Sequence, residues 1–226
     1  MKSPDLSGGG LHFPRMPQNL SRKTYAPGVR LRRGVFGLIF ILSLLLSPGQ
    51  GSCAAAKKGP LEDATFFRVA SWDIAASREP DVALMGAELS RYDIDVAGLQ
   101  EVDRFTERNC CNMLAALQKS RFPYGHFAKT MDYEGGDYGL ALVSRIPTAE
   151  VSTTPLDSAG TEEARVYERV VLERGGLKIA VYNTQLSEES AAVRARQLRQ
   201  LKAAVEADPV PYRIITGDFN ISRSTD

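Results

Sequence analysis

The chain is marked by short, nearly unbroken apolar runs, each ending in polar side chains. Phe67–Ser71 reads as a strand that continues into Trp72-Asp73-Ile74, and Ile94–Leu99 as a buried strand that runs into Gln100-Glu101-Val102-Asp103. Further strands are predicted over Gly139–Ser144, Arg165–Glu173, Leu177–Asn183 and Tyr212–Thr216, with Gly175-Gly176 as the hairpin turn before Leu177. In the Arg165–Glu173 strand, Val166, Glu168 and Val170 alternate with Tyr167, Arg169 and Val171. Helical spacing recurs over Val82–Tyr92, opened by Pro80 and Asp81, and over Asn109–Ser120, with Met113, Leu114 and Leu117 on one face. A third helix is expected over Glu188–Ala207: Ser187 caps it, Leu198, Leu201 and Val205 form its apolar stripe, and Asp208-Pro209 stop it. Arg194, Arg196 and Arg199 fall on its solvated face. Helices and strands alternate early and hairpins dominate the middle. That order predicts an α/β (α+β) fold of two packed sheets flanked by helices.

Upstream the pattern is different. Residues 34–46, GVFGLIFILSLLL, are apolar apart from Ser43, with Arg30, Arg32 and Arg33 just before them. Thirteen residues at about 1.5 Å each reach about 20 Å, short of the roughly 30 Å hydrocarbon core of a bilayer. Pro48 and Gly49 break the run, and small residues follow to Ala56. A basic flank, a short apolar core and small residues predict a secretory signal peptide over 34–56, with an uncleaved membrane anchor as the alternative. Either one exports the chain, to a secreted, periplasmic or membrane-anchored location. Residues 1–33 read as a disordered basic leader, whose true start is Met16 on one reading, and 57–65 as a polar linker.

Length and composition fit one domain: 226 residues, 43% hydrophobic and 24% charged. The net charge of +1 conceals an asymmetry. Residues 1–56 hold seven Lys and Arg against one acid, Asp5, which leaves 21 basic and 26 acidic side chains over 57–226. A mildly acidic balance weakens the case for a broad basic face that grips nucleic acid through its phosphates, although a local groove need not follow net charge. The three cysteines, Cys53, Cys110 and Cys111, form no disulfide framework and no zinc spacing.

Four apolar strands deliver polar groups to what is expected to be one sheet edge. These are Asp73, Glu101, Asn183 to Gln185, and Asp218 with Asn220. Carboxylates converging at one edge repel each other unless a cation sits among them, and hard oxygen donors suit Mg2+, Mn2+ or Ca2+. Such an ion polarises a phosphoryl oxygen while a carboxylate aligns water.

The ordered set FRVASWDI, GLQEVD, YGLALVSRIP, GLKIAVYNTQLS and IITGDFN resembles the endonuclease/exonuclease/phosphatase superfamily, over Phe66 to about Arg223. The resemblance implies a four-layered α/β/β/α sandwich of two mixed sheets, and hydrolysis of phosphoester bonds with a divalent metal. It makes Glu101 a metal ligand, with Asp73 beside it. It makes Asp218 the group that aligns the attacking water, and Asn220 the one that helps hold the phosphate. Gln185 stands where the family carries histidine; Arg145 and Asn183 become supporting residues, and Tyr138 and Tyr167 line the cleft or pack in the core.

The motifs also differ from the family pattern. The usual W-N-I reads Trp72-Asp73-Ile74, which adds a negative charge where an amide is expected. The usual N-T-H-L reads Asn183-Thr184-Gln185-Leu186, and glutamine cannot take a proton near pH 7. The closing Asp-His pair of the family has no counterpart before Asp226, so residues 66–226 read as a domain without its last strands. His126 lies outside the catalytic positions. The expected activity is that of an exported, metal-dependent phosphoesterase acting on a lipid headgroup, a small phosphoester or nucleic acid, with membrane association through 34–56. The alternative is a catalytically inactive scaffold, or gene fragment, that binds metal or a phosphorylated ligand.

Overall fold

Runs that are apolar at successive positions can satisfy both faces of a sheet only when each face is covered, and this chain covers them. The computed structural model describes residues 39–46 (as backbone), 65–74, 81–119 and 121–221. In chain order the elements are β1 (Ile39–Leu46), β2 (Thr65–Asp73), α1 (Val82–Arg91), β3 (Val96–Arg104), α2 (Met113–Gln118), β4 (Tyr124–Tyr133), β5 (Gly136–Ser144), β6 (Thr148–Pro155), β7 (Val166–Arg174), β8 (Leu177–Gln185), α3 (Ala191–Ala207) and β9 (Tyr212–Asp218). One sheet has the order β1-β2-β3-β5-β4 and the other β6-β7-β8-β9. Both are mixed: β2 runs parallel to β3 and β8 to β9, and the other pairs are antiparallel.

Three apolar layers follow from strand alternation. Val69, Val96, Leu142, Val170, Val181 and Ile214 fill the space between the sheets. Ala70, Trp72, Ala97 and Leu99 face the other way, onto Met85 and Leu89 of α1 and Met113 and Leu117 of α2. On the far side, Val171, Ala180 and Tyr182 meet Leu201 of α3. The result is the expected α/β/β/α sandwich. Each parallel pair is joined through a helix, α1 for β2 and β3, α3 for β8 and β9. Both βαβ units therefore present the carboxyl ends of their strands, where Asp73, Glu101, Gln185 and Asp218 sit.

Several element boundaries differ from the sequence reading. The second helix begins only at Met113, because Asn112 caps it by accepting from the Ala115 N–H at 3.0 Å. The third begins at Ala191, capped by Ser190 rather than Ser187. Its buried face is Val193, Arg194, Gln197 and Leu201, while Leu198 is exposed. Arg194 is not on the solvated face: its Nη1 donates to the Ser187 carbonyl at 2.9 Å. Strands β4 and β6 are additions; β6 is a sheet edge and largely exposed, so its sequence carries no alternation to read.

Of the apolar run over 34–56, Ile39–Leu46 is described, and it pairs antiparallel with β2 along Thr65–Trp72. Among the described residues no helix is long and apolar enough to cross a membrane. The rest of 34–56, the leader 1–33 with His12 and Met16, Cys53, and the linker up to residue 64 lie outside the described residues. Cys110 and Cys111 are free and exposed.

Candidate active site

The site is built where β3 breaks its own regularity. Pairing of β3 with β5 shifts register between Leu99 and Val102, and within this bulge Glu101 adopts φ +61°. A left-handed backbone at a non-glycine residue costs roughly 1–3 kcal/mol and persists only where the surrounding structure imposes it. The bulge lets both Gln100 and Glu101 point toward the second sheet. Gln100 Nε2 donates to Asn183 Oδ1 at 2.6 Å, and Gln185 Nε2 donates to Glu101 Oε1 at 3.0 Å.

Two further features draw the sheets together here. Asn183, fully buried, donates through Nδ2 to the Leu99 carbonyl (3.0 Å) and to Glu168 Oε1 (2.8 Å). Gly98 faces it without a side chain: a Cβ there would lie 2.3 Å from Thr216 Oγ1 and 2.6 Å from Asn183 Oδ1. Glu168, also fully buried, is reached by His126 Nδ1 at 3.0 Å, so His126 serves the seam between the sheets rather than the site.

On the second sheet, Gln185 and Asp218 are register partners on parallel β8 and β9. Asp218 Oδ1 accepts from the Asn220 N–H at 2.9 Å, and Asn220, at φ +50°, donates through Nδ2 to the Leu186 carbonyl at 2.8 Å. This turn fixes the Asp218 carboxylate. Asp73 ends β2 and pairs in register with Gln100, which places it next to Glu101 at the same edge. The five residues singled out from the sequence thus gather at one place.

The electrostatics are those of a site short of positive charge. Burial, first of all, pushes the Glu101 carboxyl above its usual range; the Gln185 hydrogen bond opposes this, while Glu163 and Asp218 reinforce it. Tyr138 is pushed well above the usual phenol range by burial, with the charges of Glu101, Glu163 and Asp73 adding to it. Among the described residues no group of three or more His, Cys, Asp or Glu side chains stands ready to hold an ion. The donor chemistry nonetheless fits a hard divalent cation. Glu101, Asp73 and Asp218 are oxygen donors, and Glu101 is disfavoured as an anion in its present surroundings.

Two charged residues here escape sequence reasoning. Arg165 is 3% exposed, donates from Nη2 to Glu163 Oε2 at 2.9 Å, and keeps Nε and Nη1 buried without hydrogen-bond partners. Glu163 leaves Oε1 in the same state. Arg165 favours the ionised form of Glu101. Both lie in the polar stretch before β7, where no periodicity or motif distinguishes them from ordinary surface charges. Arg145 supports the fold as expected, with Nη1 3.9 Å from Asp93 Oδ1 and its guanidinium 5.2 Å from the Phe122 ring centre. Tyr138 and Tyr167 are both buried.

The sequence profile of the Endonuclease/Exonuclease/phosphatase family matches residues 70–226. The chain belongs to this family. No curated protein matches it. Among solved structures it is similar to an endonuclease/exonuclease/phosphatase from Beutenbergia cavernae, with a TM-score of 0.57, 24% identity and coverage of 69% of this chain and 47% of that one. TDP2 from D. rerio, complexed with a single-strand DNA product, gives a TM-score of 0.54 at 19% identity, covering 69% of this chain and 61% of that one. Beta toxin from Staphylococcus aureus gives 0.52 at 19% identity, covering 64% and 59%. These likenesses establish the shared sandwich, and the chain spans about half to two thirds of the length of each. At the edge itself Gln185 is a neutral donor to Glu101, and Asp73 is a third carboxylate beside Glu101 and Asp218.

Proposed function

We propose that the chain is an exported, metal-dependent phosphoesterase that hydrolyses a phosphodiester or phosphomonoester. The observation that carries this reading is the contact across the sheets: Gln185 Nε2 on Glu101 Oε1 at 3.0 Å, with Asp218 opposite Gln185 on the neighbouring strand. Glu101 and Asp73 would hold a divalent ion, Mg2+ or else Mn2+ or Ca2+, which when bound supplies charge neutralisation to the phosphoryl oxygens. Asp218, fixed by the Asn220 N–H, accepts a hydrogen bond from water and orients it. Arg165, with two unpartnered guanidinium nitrogens, offers donors to a phosphate oxygen. Gln185 positions Glu101 and can donate to the substrate, but it cannot protonate a leaving oxygen.

That last property favours a second reading, a family scaffold that binds a phosphorylated ligand without turnover. General-acid assistance contributes typically about 10²–10⁴-fold, so a rate well below that of a histidine-bearing site is expected. Incubation with Mg2+ or Mn2+ and a chromogenic phosphodiester separates the two. Turnover that requires the metal and disappears in Glu101→Ala supports the enzyme; metal-dependent ligand binding without turnover supports the scaffold.

A further inference from the structure

A hollow adjoins this site that the chemistry above leaves unused. It encloses about 170 Å3 and is lined by Arg108, Met131, Tyr133, Tyr138 and Glu163. One wall is flat and pre-set. Asp103, fully buried, clamps Arg108 at two points, Nε to Oδ2 at 2.7 Å and Nη2 to Oδ1 at 2.8 Å. Held in this way, the guanidinium lies 4.5 Å from the Tyr133 ring centre and 5.6 Å from that of Tyr138. Glu163 adds a different chemistry: Oε2 is taken by Arg165, while Oε1 is buried with no donor. A buried acceptor in that state is unfavourable, and an incoming N–H removes the penalty.

We propose that this hollow is a subsite for a nucleobase carried next to the phosphate: the base stacks on the Arg108 plane backed by Tyr133 and presents a ring or amino N–H to Glu163 Oε1. The proposal rests on the phosphoester reading of the Glu101–Asp218 edge. Tyr138 and Glu163, which line the hollow, both act electrostatically on that edge. Other headgroups fit less well. A quaternary ammonium needs free aromatic faces, and here a cation already lies over both rings. A ring bearing several phosphates brings anions against Glu163. A flat neutral ring with N–H donors uses every wall, and guanidinium planes and aromatic rings are the usual platforms for bases. The acidic balance of residues 57–226 points to a mononucleotide or a strand end rather than a long polymer.

The test is equilibrium binding by calorimetry on the full chain with Mg2+, using guanosine 5′-monophosphate, ribose 5-phosphate and inositol 1-phosphate. The nucleotide is expected to bind at least about tenfold more tightly than ribose 5-phosphate, as one stacked base supplies. Tyr133→Ala and Arg108→Lys each bring the two ligands within about threefold, leaving ribose 5-phosphate affinity unchanged; Glu163→Gln, which also alters the partner of Arg165, is read by the ratio of the two affinities alone, which likewise falls to about threefold. Equal affinities in the unaltered protein, tighter inositol 1-phosphate binding, or variants that weaken both ligands alike would overturn the subsite. Absence of metal-dependent hydrolysis would remove the enzymatic reading alone, since base preference is measured without turnover.

Discussion

Glu101 combines three properties that seldom coincide in one side chain: a left-handed backbone, partial burial and a cross-sheet hydrogen bond. The backbone strain gives an unusual expectation. In a strand interior glycine is normally less stable than alanine by roughly 0.5–1 kcal/mol. At φ +61° the order inverts, because only glycine adopts that conformation freely. Glu101→Gly should therefore be more stable to urea than Glu101→Ala, by about 1 kcal/mol, with both inactive. If alanine is the more stable of the two, the strain assigned to this bulge is not there. The GLQEVD run makes Glu101 conspicuous in the sequence, yet its conformation is not legible there, since the bulge depends on β5 pairing on one side and Asn183 on the other. Arg165 is the opposite case. Its importance lies in burial beside Glu163, which comes from the packing of the second sheet and leaves no trace in local pattern.

At the level of elements, α3 is tied down at its end by a buried carboxylate as well as along its face. Asp208, its C-terminal cap, accepts from Arg169 Nε at 2.6 Å, Arg169 Nη2 at 3.0 Å and the Tyr182 hydroxyl at 2.5 Å. The Arg169 guanidinium holds the Asp208 carboxyl well below the usual carboxylate range. A carboxyl with a lowered folded-state pKa contributes stability that is present above its unfolded value, about 3.9, and lost as pH falls through the folded value. Asp208→Asn is expected to cost about 3 kcal/mol at neutral pH, with the difference from the unaltered protein shrinking as acid unfolding is followed below about pH 4. A constant difference across that range would show that the pair is not the source. Asp208-Pro209 is readable as a helix stop, but not as a tie between α3, β7 and β8. The helix start is misread for a related reason: Ser187 and Ser190 are equally good caps in sequence, and Gln197 settles the matter by accepting the Ser187 N–H at 2.8 Å. Strand β6 escapes notice because an exposed edge imposes no apolar alternation.

For the whole molecule, runs that are apolar on both faces require covered sheets; the two packed sheets are legible in the order of helices and hairpins, and the four layers in the family resemblance of the motifs. The seam between the sheets is polar along the site and at the neighbouring His126–Glu168 contact, and apolar from Val96 and Leu142 to Val181 and Ile214. Chain order and sheet membership also coincide: every described strand up to Ser144 belongs to one sheet and every one from Thr148 onward to the other. The protein is thus divisible at a single three-residue link, Arg145-Ile146-Pro147. Severed there, neither fragment would hold both Glu101 and Asp218, and each would expose its half of the seam. Expressed separately, the two pieces should be poorly soluble and inert; mixed or co-expressed, they should reassemble, with ligand binding returning in proportion to the complementary pair recovered.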